Sequence, residues 1–301
     1  MVAGKVAHVL SYDVGGSHIS AALCSESDLS LGPVAEAALP EEQSADAFVD
    51  VLMELAAQAR ANAGSTAGAA FAMPGPFDYS EGISWMKHKM PYLYGVNVRE
   101  ALARRMGWNG SQVRFLNDAA AYLLGEVGAG AARGVGRVAG FTLGTGIGSG
   151  FAVNGRIVTE GRGVPPGGEI WNVPFEGGIV EDQASTRFIK KAYHERTGAE
   201  KEVAEIAAEA ATDPHASEVF AQLGQNLGRI IRMQLHDFAP EVVVLGGGIA
   251  RSAHLFLPAA ERELKGLPIE IRIAQLGDRA PLVGAAVAWF GQQSSPAADV
   301  A

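Results

Sequence analysis

Apolar positions along the chain come in short runs closed by glycine or proline, interleaved with stretches of helical spacing. Val6–Val14 and Ile19–Ser25 are predicted strands flanking Gly15-Gly16, and a third apolar stretch, about Gly32–Leu39, stops at Pro40. Ser44-Ala45-Asp46-Ala47 opens a helix with Phe48, Val49, Leu52, Leu55 and Ala56 on one face, running out near Asn62–Ser65. Ala67–Met73 is a short buried strand ending in the punctuated loop Pro74-Gly75-Pro76. A polar and aromatic segment follows, Phe77–Tyr94, with Asp78, Trp85, Lys87, His88 and Lys89. Val96–Met106 is predicted helical. Arg114–Asp118 is a strand ending in two polar residues, with a helix, Ala119–Val127, directly behind it.

The strand and glycine-turn theme returns twice. Val138–Leu143 leads into Gly144-Thr145-Gly146-Ile147-Gly148, and Val242–Leu245 leads into Gly246-Gly247-Gly248 at the entrance to a helix. Glycines are expected here for two reasons. They tolerate positive φ, and they let backbone N–H groups come close to an anionic ligand. Between these turns, Ser217–Asp237 is a predicted helix with Phe220, Leu223, Leu227, Ile230, Ile231 and Leu235 on its core side.

Composition narrows the possible partners. The 301 residues are 48% hydrophobic with 38 glycines, enough for two core-bearing lobes. A net charge of −9 argues against binding nucleic acid or an anionic membrane, where affinity comes from lysine and arginine. The single cysteine, Cys24, excludes a disulfide within the chain and a cysteine zinc cluster. No apolar run reaches membrane-spanning length and no signal-peptide core is present, so a cytoplasmic protein is expected.

The chain lacks the G-x-x-x-x-G-K-[ST] loop, and no G-x-G-x-x-G follows the first strand. Its order is a glycine hairpin, an Asn-Asp pair at a strand end, a second glycine hairpin and a Gly-Gly-Gly turn. This order resembles the sugar-kinase, actin and Hsp70 ATPase superfamily and, within it, the ROK family of bacterial sugar kinases. The resemblance covers nearly the whole chain. Asp13-Val14-Gly15-Gly16-Ser17 resembles the family's first phosphate loop, with Ser17 where threonine is usual. The loop at Gly75 resembles the one beside the sugar, and Asn117-Asp118 the catalytic segment whose Asp is the general base. Gly144, Thr145 and Gly146 are similar to the second phosphate loop, and Gly246, Gly247 and Gly248 to the adenosine segment. Gly168-Glu169-Ile170 resembles the start of the sugar signature, and Glu181 a later sugar-contacting glutamate.

Two segments depart from the pattern. Trp171-Asn172 stands where the family has Gly-His, and no cysteine lies between Val173 and Glu181. A zinc site of the family type is therefore not expected, since tetrahedral zinc takes four such ligands. Asn172 still offers one amide to a sugar hydroxyl. Trp85–Lys89 replaces the family's usual Asn-Leu stretch.

The resemblance implies an α/β, two-lobed, ribonuclease-H-like duplicated fold with a cleft between lobes. The expected small lobe is residues 1–118 plus about 282–295, the large lobe 119–281, with a tail at 296–301. The implied activity is ATP-dependent transfer of the γ-phosphate to a hexose, glucose first and another hexose or an amino sugar next. Asp118 would be the base. Gly75, Asn117, Glu169, Asn172 and Glu181 would serve the sugar, and Asp13 would hold Mg²⁺ through water. A homodimer is one possible assembly. Asp118 is also a good helix N-cap, and the diverged sugar signature leaves room for a sugar-binding protein without catalysis.

Overall fold

The computed structural model describes residues 7–60 and 66–293. The expected end of the first helix at Asn62–Ser65, the start of the chain and the tail at 296–301 lie outside the described residues. The elements divide into two compact units, with the boundaries after Ala129 and before Asp278.

In the first unit, β1 (His8–Val14) and β2 (His18–Ser25) form an antiparallel hairpin, and β3 (Ala35–Ala38) extends it. Helix α1 (Ala45–Arg60) buries the predicted face of Phe48, Val49, Leu52, Leu55 and Ala56. β4 (Ala69–Met73) lies parallel to β1. A small hairpin, β5 (Phe77–Asp78) with β6 (Ile83–Ser84), leads to α2 (Val98–Met106). β7 (Val113–Asn117) lies parallel to β4 and runs straight into α3 (Asp118–Ala129). The sheet order is β3-β2-β1-β4-β7. Tyr12, Phe71 and Phe115 stand in register on these parallel strands, with ring centroids 4.4 and 4.9 Å apart. Their stacking fixes the register in which Asp13 and Asn117 reach the same end of the sheet.

The second unit repeats the plan. β8 (Arg137–Leu143), β9 (Ile147–Val153) and β10 (Arg156–Ile157) form an antiparallel run. A short hairpin, β11 (Pro174–Phe175) with β12 (Gly178–Ile179), precedes α4 (Val180–Gln183), α5 (Thr186–Thr197), α6 (Val203–Glu209) and α7 (Pro214–Gln234). β13 (Val242–Gly246), α8 (Ala253–Glu263) and β14 (Glu270–Ile273) complete a sheet of order β10-β9-β8-β13-β14. Each sheet, numbered within its own unit, has order 3-2-1-4-5, with three antiparallel strands followed by two parallel ones. This is the duplicated ribonuclease-H-like fold that the motif order implied. Helix α7 buries Phe220, Leu223, Leu227, Ile230 and Ile231, as the spacing predicts.

One boundary needs correction. Helix α3 belongs to the first unit, where the sequence places the second lobe from residue 119. The reason is its packing against the last helix, α9 (Ala280–Gln293). The two backbones cross in contact because both carry glycine there. A Cβ on Gly284 would lie 1.7 Å from the Ala121 carbonyl oxygen, and one on Gly125 would lie 2.1 Å from that of Ala280. Gly284→Ala is therefore expected to destabilise the fold by about 3 kcal/mol, at the upper end of overpacking costs, since backbone must move. Urea denaturation checks this; an unchanged midpoint would contradict the close crossing. Among the described residues no helix is long and apolar enough to cross a membrane.

Candidate active site

In the first unit the parallel strands β1, β4 and β7 end together, the usual place for a ligand in such sheets. Asp13 sits in register with Ala72, and Met73 with Asn117, so Asp13, the Pro74-Gly75-Pro76 loop and Asn117-Asp118 share one sheet end. The hairpin after Asp13 is closed by Gly15 N–H donating to the His18 carbonyl at 2.9 Å. Contrary to expectation, neither Gly15 nor Gly16 takes positive φ. A Cβ on Gly16 would meet nothing within 4 Å, so the turn is open in front of its backbone. Clearance, not conformation, is what glycine supplies at Gly16.

The Asn117-Asp118 pair divides its labour. Asn117 Oδ1 accepts from Ala119 N–H at 3.0 Å and Ala120 N–H at 3.1 Å, so Asn117 caps α3. Asp118 is the first helical residue, and its carboxylate accepts from Ala119 N–H at 2.9 Å. The capping role that the sequence left open for Asp118 falls mainly to its neighbour. The Asn117 amide nitrogen donates to the Tyr79 hydroxyl at 3.3 Å, and that hydroxyl donates to the Met73 carbonyl at 3.2 Å. Tyr79 also lies 3.5 Å from where a Cβ on Gly75 would stand, so it braces the loop and the strand end together.

Asp13 is electrostatically uncomfortable. Burial pushes its carboxyl up to about 7, and the negative charges of Asp118 and Asp278 push the same way. Asp278 was not foreseen; its only sequence signal is a carboxylate just before the last helix. A carboxylate crowded by negative charge in this way suits a divalent cation. Among the described residues no His, Cys, Asp or Glu cluster of three or more could alone hold a metal, so the fit is to a cation completed by water and substrate oxygens. Cys24 is buried in β2. Trp85 and Tyr94 are exposed, edge to face at 5.6 Å, with the Lys87 ammonium over the Tyr94 ring at 5.3 Å; His88 and Lys89 are exposed beside them.

In the second unit the glycine turns after β8 and β13 come together. Gly246 pairs in register with Thr142. Gly247, at φ +83°, packs so closely on Leu143 that a Cβ would lie 2.4 Å from its carbonyl oxygen. Here glycine is required on both counts. Beyond Gly248 the chain makes a tight turn, Ile249–Ser252, before α8 begins, so the helix starts later than the sequence suggests. A cavity of about 810 Å³ opens beside these turns, lined by Gly144, Thr186, Gly248 and an apolar wall of Val203, Ala204, Ala207, Ala208, Ala211 and Leu255.

The sugar-signature residues of this unit are placed unevenly. Ser149 accepts from Ile170 N–H at 2.9 Å and donates to the Gly168 carbonyl at 2.7 Å, locking the turn that carries Glu169 onto β9. Glu169 is exposed and accepts from the Trp171 indole N–H at 3.0 Å, which gives Trp171 a polar tie; Asn172 is exposed beside it. Glu181 instead lies against the second glycine turn. Its Oε2 accepts from Ile147 N–H at 3.3 Å, and its Oε1 pairs with Arg187 at 3.0 Å.

The ROK family model matches residues 9–292. The chain belongs to the ROK family. Among its relatives, a glucokinase of Thermotoga maritima is 29% identical over 278 residues, 84% of this chain and 86% of that protein. The ROK hexokinase from Thermus thermophilus has the same fold, with a TM-score of 0.82 at 27% identity, covering 96% of this chain and 100% of that one. A ROK glucokinase from Streptomyces griseus, solved with glucose and AMPPNP, shares the fold at a TM-score of 0.73 and 22% identity, covering 93% and 98% of the two chains.

Proposed function

We propose that this ROK protein is a sugar kinase that transfers the γ-phosphate of ATP to a hexose hydroxyl, with glucose as the first acceptor and Asp118 as the general base. The observation that carries the assignment is the division at the end of β7: Asn117 caps the helix, which leaves Asp118 available for proton transfer. Asp118 takes the proton of the attacking hydroxyl, a role worth about 10²–10⁴-fold in rate. Gly75, Asn117, Glu169, Asn172 and Glu181 orient the sugar, Glu181 from its place beside the second turn.

Asp13 would hold Mg²⁺ through water, and the ion, when bound, neutralises charge on the phosphates. The open hairpin Gly15-Gly16-Ser17 offers its backbone to the phosphates, as do Gly144-Thr145-Gly146. The apolar cavity beside Gly144 and Gly248 suits a nucleoside's base, which supports ATP over an inorganic polyphosphate chain as the donor.

A coupled ADP-release assay over a hexose and amino-sugar panel, with a no-sugar control and polyphosphate as alternative donor, tests this. Sugar-dependent ADP release with glucose among the best acceptors is expected, and glucose phosphate formation from polyphosphate is not. ADP release that ignores sugar, or none with any acceptor, would overturn the kinase assignment.

A further inference from the structure

A carboxylate stands where the donor-phosphate reading places a polyanion. Glu181 Oε2 accepts from Ile147 N–H at 3.3 Å, and a Cβ on Gly146 would lie 2.3 Å from that same oxygen. The turn Gly144–Gly148 therefore rests directly on a formal negative charge, and that charge acts against phosphates approaching the turn's N–H groups. The Glu181 side chain is three-quarters buried, so water screens it only partly.

A cation answers it. Arg187, in the first turn of α5, places a guanidinium nitrogen 3.0 Å from Glu181 Oε1 and 3.7 Å from Asp182 Oδ1. The helix carrying it is tied to the turn itself, because Thr186 N–H donates to the Gly144 carbonyl at 2.8 Å. Arg187 is thus fixed relative to the turn by backbone as well as by its ion pair. Its position at a helix N-terminus is unfavourable for a cation, so helix stability does not account for it. Its own side chain stays largely exposed, which leaves donors of the guanidinium free to face solvent or an anion.

We propose that Arg187 is a positioning residue for the phosphoryl donor, cancelling the Glu181 charge so that the second glycine turn can accept phosphate. The proposal rests on the assignment of Gly144–Gly148 as a donor-phosphate turn. It also gives the Glu181 carboxylate a second task beside contact with sugar: it holds the Ile147 amide and so shapes the turn.

Calorimetric titration of Mg-AMPPNP into the full chain reads donor binding without turnover. Arg187→Gln is expected to weaken binding about three- to tenfold, the range for a partly screened charge. Arg187→Lys is expected to keep most of the affinity. The double variant Glu181→Gln/Arg187→Gln is expected to recover it, since with the carboxylate gone no compensation is needed. In steady-state assays the Arg187→Gln effect is expected in KM for ATP, with kcat and KM for sugar little changed. A purely structural Arg187 would instead lower kcat and melting temperature together, without rescue by Glu181→Gln. Equal affinity of wild type and Arg187→Gln, or a double variant no better than the single one, would overturn this proposal and leave the kinase assignment standing. Failure of the wild type itself to bind Mg-AMPPNP would overturn both.

Discussion

Asp118→Asn is expected to lower phosphotransfer by about 10²–10⁴-fold while leaving the melting temperature within about 2 °C of wild type. The two halves of this expectation have separate causes. The rate falls because an amide cannot accept the hydroxyl proton. The fold persists because the start of α3 hangs on Asn117 Oδ1, with its bonds to Ala119 and Ala120 at 3.0 and 3.1 Å. The one bond Asp118 accepts, from Ala119 N–H, is within reach of an asparagine oxygen as well. Sugar and Mg-AMPPNP affinities, read by calorimetry, are expected to stay within a few-fold of wild type. Unchanged turnover would remove Asp118 from the role of base. A collapse of stability would show that it, rather than Asn117, holds the helix.

The central strands were legible as short continuous apolar runs, since β1, β2 and β4 are buried along nearly their whole length, and the long helices α1 and α7 because burial of one face imposes a period on them. The three turns were legible because a run of glycines closing an apolar strand is locally conspicuous. What was not legible depends on neighbours distant in sequence. The reason for glycine at Gly16 is open space, whereas at Gly247 it is the Leu143 backbone, and nothing in either tripeptide tells the two apart. Two-residue strands such as β11 and β12 carry no period at all. Helix α6 reads as a run of alanine and glutamate with one deeply buried side chain, Ile206. The sequence motif groups Glu181 with the sugar residues, but its immediate partners are Ile147, thirty-four positions back, and Arg187. Asp278 illustrates the same limit, since only the fold brings it near Asp13, 265 positions away by subtraction of their numbers.

Asp13→Asn is expected to abolish most turnover, by about 10²-fold or more, and at the same time to stabilise the metal-free protein at pH 8. Burial, then Asp118 and Asp278, hold the Asp13 carboxyl at about 7, well above the value of about 4 for an unfolded carboxylate. The sign follows from proton counting. Between about pH 4 and pH 7 the folded chain keeps a proton that the unfolded chain has already lost, so stability falls as pH rises through that window and stays low above it. The asparagine variant has no proton to lose at this position. Its melting temperature is therefore expected to exceed that of wild type at pH 8, with the gap closing toward pH 4.5. Magnesium sharpens the contrast. Because the cation is completed by substrate oxygens, Mg²⁺ added together with AMPPNP is expected to raise the wild-type melting temperature at pH 8 more than that of the variant. Calorimetric scans at pH 4.5, 6 and 8, with and without Mg-AMPPNP, read all of this. Equal pH slopes in the two proteins would show that Asp13 is not the strained carboxylate. An equal response to Mg-AMPPNP would separate that strain from cation binding and move the metal role away from Asp13.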